Sequence, residues 1–186
     1  TFPFKRYQIG KVYRGERPQK GRFRDFYQCD VDIVGNEKLD IIYDAEIGAV
    51  IISALKNLEI PPFVMHISNR KLLSGLLQHL GATDKAVEVL RIIDKLDKVG
   101  GGKMVGMLLE AGVSMPVANT ILGFCTITGT NAEVIENLKN FGVENEMFQE
   151  GIKEIEEVSQ NLLAFGISEE NFKINLAIAR GLDRSE

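Results

Sequence analysis

Between Val12 and Gln28 the chain reads as strand, basic loop, strand. Arg17, Lys20, Arg22 and Arg24 gather around Pro18 and Gly21, and no apolar residue intervenes before Phe23. A polyanion suits such a hairpin, because guanidinium groups grip phosphate in a bidentate fork. The second strand, about Phe23 to Val34, sets Phe26, Gln28, Asp30 and Asp32 on one face and Tyr27, Cys29, Val31 and Ile33 on the other. The second set is an ordinary core face. The first is polar behind one aromatic ring, so it lines either a binding site or water, since antiparallel sheets often wet one side. The combination points to a nucleotide site on an antiparallel sheet.

Charge narrows the partners. The chain of 186 residues has a net charge of −4, which excludes wholesale nonspecific binding to nucleic acid. A local basic patch remains: Lys5, Arg6, Lys11, Arg14, Arg17, Lys20, Arg22 and Arg24 are opposed by Glu16 alone before Asp25. Acid is heaviest later, at Glu144, Glu146, Glu150, Glu154, Glu156 and Glu157. Cys29 and Cys125 share no metal-ligand spacing and read as free thiols of a reducing compartment. No apolar run is long enough for a bilayer and no signal-peptide pattern is present, so no membrane association and a cytoplasmic location are expected.

Phe4 to Gly15 alternates as a first strand, with Tyr7, Ile9 and Tyr13 on one side. The loop that follows is longer than a two-residue turn and is expected to move without ligand. A helix is predicted over 40–58, with Ile41, Ala45, Gly48, Ile52 and Leu55 on one stripe, stopped by Pro61 and Pro62. Phe63 to Ser68 reads as a short strand, and Asn69 caps a helix that ends near Leu80 and closes at Gly81. From about Ala82 only helical patterns follow: 85–96, 103–111, 116–124, 131–141 and 144–165. Gly100, Gly101 and Gly102 break the chain as a hinge or linker without the lysine of a phosphate-binding loop. Lys173 to Ala179 alternates again as strand. An all-helical block is thus expected between strands of one sheet. His66 and His79 are too few and too distant for a metal site, and none is expected.

The segment from Arg14 to Asp32 resembles motif 2 of class II aminoacyl-tRNA synthetases in the form carried by the histidyl-tRNA synthetase family. Ile178 to Asp183 resembles the start of that family's histidine-specific signature, and Asp44–Glu46, Ile67–Arg70 and Asp94–Lys98 also fit. The resemblance covers most of the chain. It implies an α+β fold: part of the class II antiparallel sheet with flanking helices at 1–81 and 172–186, and an all-helical insertion domain at 82–171. It implies a histidine–tRNA ligase that activates histidine with ATP and Mg²⁺ and transfers it to tRNA(His), and that is a homodimer at full length.

The same resemblance implies residue roles. Arg14 matches the arginine that binds the α-phosphate of ATP and the carboxylate of the amino acid. Glu16 matches the acid that reads the adenine amino group, and Phe26 the ring that stacks on adenine. Arg22 and Arg24 match loop arginines near the outer phosphates and the tRNA acceptor end; Gln19 and Lys20 share that loop, near the extra 5′ nucleotide of the histidine tRNA. Gln28 and Asp32 match the polar pair that holds histidine, with Asp32 where some members have glutamate. Arg180 matches an arginine at the α-phosphate beside Arg14; read from its strand alone it is a surface residue. Lys95, Lys98 and Lys103 of the helical block are candidates for tRNA phosphate. After Asp183 the family continues with two tyrosines, where this chain has Arg184, Ser185 and Glu186.

These roles agree with the chemistry. Adenylate formation drives a carboxylate against an α-phosphate, and a fixed guanidinium touching both anions lowers their repulsion. An ammonium and an imidazole suit carboxylate and amide acceptors. The chain lacks the family's motif 1, motif 3 and anticodon-binding domain, so it reads as a fragment expected to be inactive alone. Two other readings stand beside this one. One is the non-catalytic regulatory subunit of ATP phosphoribosyltransferase, which shares the catalytic fold; the other is a module that binds tRNA only.

Overall fold

The computed structural model describes residues 1–178. β1 (Phe4–Tyr13) and β2 (Asp25–Val34) pair antiparallel without a break, from Phe4 opposite Val34 to Tyr13 opposite Asp25. The loop between them narrows to a two-residue turn at its tip, where Gln19 and Arg22 exchange backbone hydrogen bonds of 2.9 and 3.1 Å. Gly21 takes φ +77° there, a conformation that costs a residue without Cβ nothing.

Asp40 accepts the Ile42 amide at 2.9 Å and opens α1 (Ile42–Asn57). β3 (Met65–Ile67) leads to Asn69, which caps α2 (Arg70–His79) by accepting the Lys71 amide at 2.8 Å; Gly81 follows the helix with φ +66°. A 3₁₀ turn at Thr83–Lys85 precedes α3 (Ala86–Ile93), α4 (Leu96–Val99), α5 (Gly101–Glu110), α6 (Met115–Cys125) and α7 (Asn131–Lys139). Thr130 and Glu133 cap α7 reciprocally. α8 (Glu146–Ala164) is the longest helix, and β4 (Phe172–Ile174) then pairs parallel to β3.

The helical segment is therefore the crossover between two neighbouring strands, and a connection of that length allows the parallel pairing observed. Mixed helix and strand are as expected, but the described strands form two separate two-stranded sheets, one of them parallel, instead of one antiparallel sheet. The last strand is shorter than predicted, because the Asn175 side chain accepts the Ala177 amide at 3.0 Å and turns the chain. Gly101 and Gly102 do not form a linker. They lie in the first turn of α5, where a Cβ on Gly101 would come within 3.1 Å of Leu122 in α6.

The main core joins Leu72, Leu76 and Leu77 of α2 to Val89, Met104, Leu108, Ile121, Phe124, Leu138, Phe148 and Ile152. The helical block thus packs directly on α2, and α8 also reaches α1 through a second cluster of Ala45, Ile52, Leu162, Ile167 and Phe172. Backbones of α2 and α8 approach closely at two glycines. A Cβ on Gly75 would lie 2.5 Å from the Phe148 nitrogen, and one on Gly151 would lie 3.0 Å from the Leu72 nitrogen. Among the described residues no helix is long and apolar enough to cross a membrane.

Candidate functional site

Cross-strand register decides which hairpin side chains meet. Arg6 stands opposite Asp32, Gln8 opposite Asp30, Gly10 opposite Gln28 and Val12 opposite Phe26, so these eight residues share one face. Pairing extends one step further, with the Arg14 amide donating to the Arg24 carbonyl at 2.8 Å. The Arg14 guanidinium lies 5.0 Å from the centre of the Phe26 ring and donates through Nη2 to Gln28 Oε1 at 3.0 Å. Gln28 Nε2 donates onward to both carboxylate oxygens of Asp30, at 2.6 and 2.7 Å. Arg6 Nε donates to Asp32 Oδ2 at 2.8 Å. Gly10, in the middle of the face, has no heavy atom within 4 Å of where its Cβ would stand.

Arg14, Phe26 and Gln28 are thus brought together. Asp32 shares their face, but its carboxylate is engaged by Arg6. Glu16 sits in the loop, where its carboxylate meets Arg22 Nε at 3.0 Å and its carbonyl accepts from Arg24 Nε at 3.3 Å. Gln19 and Lys20 are exposed at the turn. Arg180 lies outside the described residues. Asp30 lies on the face as expected, although no role in binding was expected of it, and Arg6 and Gly10 join the face from the other strand. Their signal was the alternation along each strand, which needs the register before it yields partners.

The opposite face is not a core face as expected. Tyr7, Ile9, Tyr13 and Tyr27 are 78, 66, 75 and 73% exposed, because no described element packs on them. The hairpin is fastened to α1 at one end, where Lys5 Nζ meets Glu46 at 2.6 Å and lies 5.2 Å from the Tyr43 ring.

A second polar cluster joins the helices. Glu154 of α8 accepts from Asn69 at 2.8 Å and from Lys71 at 2.6 Å, and Lys71 also meets Glu150 at 2.8 Å. Burial pushes the Glu154 carboxyl up, but the hydrogen bonds from Lys71 and Asn69 and the Lys71 charge outweigh it and hold the group below its ordinary range. Asp44 is raised, by its burial first and by the Glu154 charge second. Beside this cluster a cleft of about 670 Å³ opens between α2 and α3, lined among others by Asn69, Lys71, Ser74, Leu77, Ala86 and Met147; no hairpin residue borders it. Among the described residues no three His, Cys, Asp or Glu side chains gather as metal ligands.

The family model described as histidyl-tRNA synthetase matches residues 3–184. The histidine–tRNA ligases of Finegoldia magna and Clostridium tetani are 48% and 47% identical over 183 residues, and that of Nostoc sp. is 40% identical over 187. Each alignment covers 98% of this chain, and the chain spans only 42, 42 and 40% of those relatives' lengths. The crystal structure of histidyl-tRNA synthetase from Nostoc sp. PCC 7120 superposes with a TM-score of 0.90 at 38% identity, over 98% of this chain and 42% of that one. A structure described as an ATP phosphoribosyltransferase regulatory subunit/histidyl-tRNA synthetase from Bacillus halodurans C superposes with a TM-score of 0.77 over 95% of this chain and 44% of that one; at 19% identity it shares the fold.

Proposed function

The chain belongs to the histidyl-tRNA synthetase family, and on that footing we propose that its hairpin is the ATP- and histidine-binding part of a histidine–tRNA ligase. The observation that carries this reading is the contact chain from Phe26 through Arg14 and Gln28 to Asp30 on one face of β1 and β2. Phe26 offers a ring for adenine. Arg14 offers a guanidinium that reaches the α-phosphate and the histidine carboxylate together, which lowers the repulsion between them and holds the attack in line. Glu16 reads the adenine amino group. Gln28 and Asp32 hold histidine, and Arg180 joins Arg14 at the α-phosphate. Gln19, Lys20, Arg22 and Arg24 line an exposed cationic loop suited to the outer phosphates and the acceptor end of tRNA(His). Mg²⁺ would arrive on the ATP phosphates and neutralise charge there.

In this reading residues 1–81 and 172–186 contribute to a class II catalytic domain and residues 82–171 form its helical insertion, in a cytoplasmic enzyme that is a homodimer at full length. A graft tests it. Residues 1–186 replace the matching segment of the Finegoldia magna enzyme, and histidine-dependent ATP–pyrophosphate exchange is measured. Exchange is expected, and Arg14→Ala should lower it by about 10²–10³-fold, the usual cost of removing one donor aimed at developing charge. A graft with the parent's circular dichroism and melting temperature but no exchange would overturn the reading.

A further inference from the structure

We propose that Asp30 is a positioning residue that fixes the Gln28 side-chain amide, and thereby determines that this face takes a ligand bearing an ammonium group. The inference rests on the reading of the hairpin face as the histidine site. An amide has two unlike ends, and here each meets a group that accepts only one of them. Gln28 Nε2 donates to both oxygens of Asp30, at 2.6 and 2.7 Å, and Gln28 Oε1 accepts from Arg14 at 3.0 Å. Turning the amide over would set its NH₂ against a guanidinium, which has no acceptor, and its oxygen against a carboxylate, which has no donor. Charge-assisted bonds at both ends therefore permit a single orientation.

The consequence lies in the unused half of Oε1. A carbonyl oxygen has two lone pairs, and Arg14 takes one. The other remains for a donor, and the residue opposite Gln28 is Gly10, where a side chain would meet nothing within 4 Å. An α-ammonium entering that space finds a fixed acceptor. Without Asp30 the amide is held at one end only, by Arg14, and its oxygen can swing away from the space over Gly10. In the proposed role Asp30 acts through Gln28, whose Nε2 both of its oxygens accept.

The test uses the isotope-labelled 186-residue chain with Asp30→Ala and Asp30→Asn, where asparagine keeps an acceptor for Gln28 Nε2 but no charge. Without ligand, the Gln28 side-chain amide should resist hydrogen exchange in the wild type and in Asp30→Asn and lose that protection in Asp30→Ala. Equal protection in all three would overturn the proposal. Titration then compares L-histidine with 3-(imidazol-4-yl)propionate, which lacks the ammonium. Asp30→Ala should weaken L-histidine about tenfold, the size of one charge-assisted hydrogen bond, and leave the deaminated analogue within about threefold. Asp30→Asn should restore most of the L-histidine affinity. Equal losses in Asp30→Asn and Asp30→Ala would mean that the carboxylate binds the ligand itself, and equal losses for both ligands would mean a general structural role; either contradicts the proposal. A wild-type chain that anchors the Gln28 amide but binds no L-histidine at any concentration would count against the histidine reading and leave the amide's anchoring by Asp30 standing.

Discussion

Arg14 is held by neighbours on both strands: its backbone by Arg24, its guanidinium by Gln28 and the Phe26 ring. In the proposed site such a residue would be preorganised for developing charge, which is worth more than a flexible cation at the same distance. The two thiols show how position sets reactivity. Burial pushes Cys125 up to about 12, whereas Cys29 is exposed on β2. A thiol-reactive dye at pH 8 should label one cysteine in the native chain and both in denaturant; two labelled in the native state would contradict the core placement. Glu154 gives a pH prediction. Its folded pKa lies below the ordinary 4.5, so its contribution to stability is complete above 4.5 and is lost as pH falls through the lowered value. Asp44 is raised above 3.8, so it works in the opposite sense and disfavours the fold once ionised. In Glu154→Gln the Asp44 carboxyl should titrate lower by NMR, yet still above 3.8, because burial is the larger cause. The alternation of β2 made Phe26 and Gln28 legible as neighbours on one face. It could not reveal Arg6 with Asp32, since that pairing depends on the cross-strand register, which alternation along one strand does not set.

The helices were legible wherever a cap and an apolar stripe coincided, as at Asn69 with α2, and their ends fell within a few residues of expectation. The glycines were the weak point. Gly101 and Gly102 read as a break, but both lie inside a helix, and at Gly101 the close approach of Leu122 favours a residue without a side chain. The α2–α8 crossing turns on the same physics. Gly75→Ala gains about 1 kcal/mol of helix propensity, yet its new methyl would sit 2.5 Å from the Phe148 nitrogen and force the two helices apart. Overpacking of this kind costs about 1–3 kcal/mol, so thermal unfolding should show a lowered Tm. A Tm at or above the wild-type value would mean that the crossing is looser than described.

Across the molecule, the polar hairpin face gathers Arg14, Phe26, Gln28 and Asp30, while no described element covers the opposite face. Tyr7, Ile9, Tyr13 and Tyr27 form an apolar patch of the kind that marks an interaction surface. Sequence alternation identified this face as one to be covered but could not say that no described element covers it. The chain in isolation should associate as its concentration rises in sedimentation velocity, and Tyr7→Lys with Tyr27→Lys should suppress that; association unchanged by the pair would place the contact elsewhere. The 186 residues alone are expected to show no histidine-dependent pyrophosphate exchange, since a two-stranded hairpin open on one face is only marginally stable as a platform. Binding is the more direct question. A non-hydrolysable histidyl-adenylate analogue titrated into the isotope-labelled chain should shift the resonances of Arg14, Phe26 and Gln28, and Arg14→Ala should abolish those shifts. Shifts confined to the cleft between α2 and α3, or binding untouched by Arg14→Ala, would contradict the account.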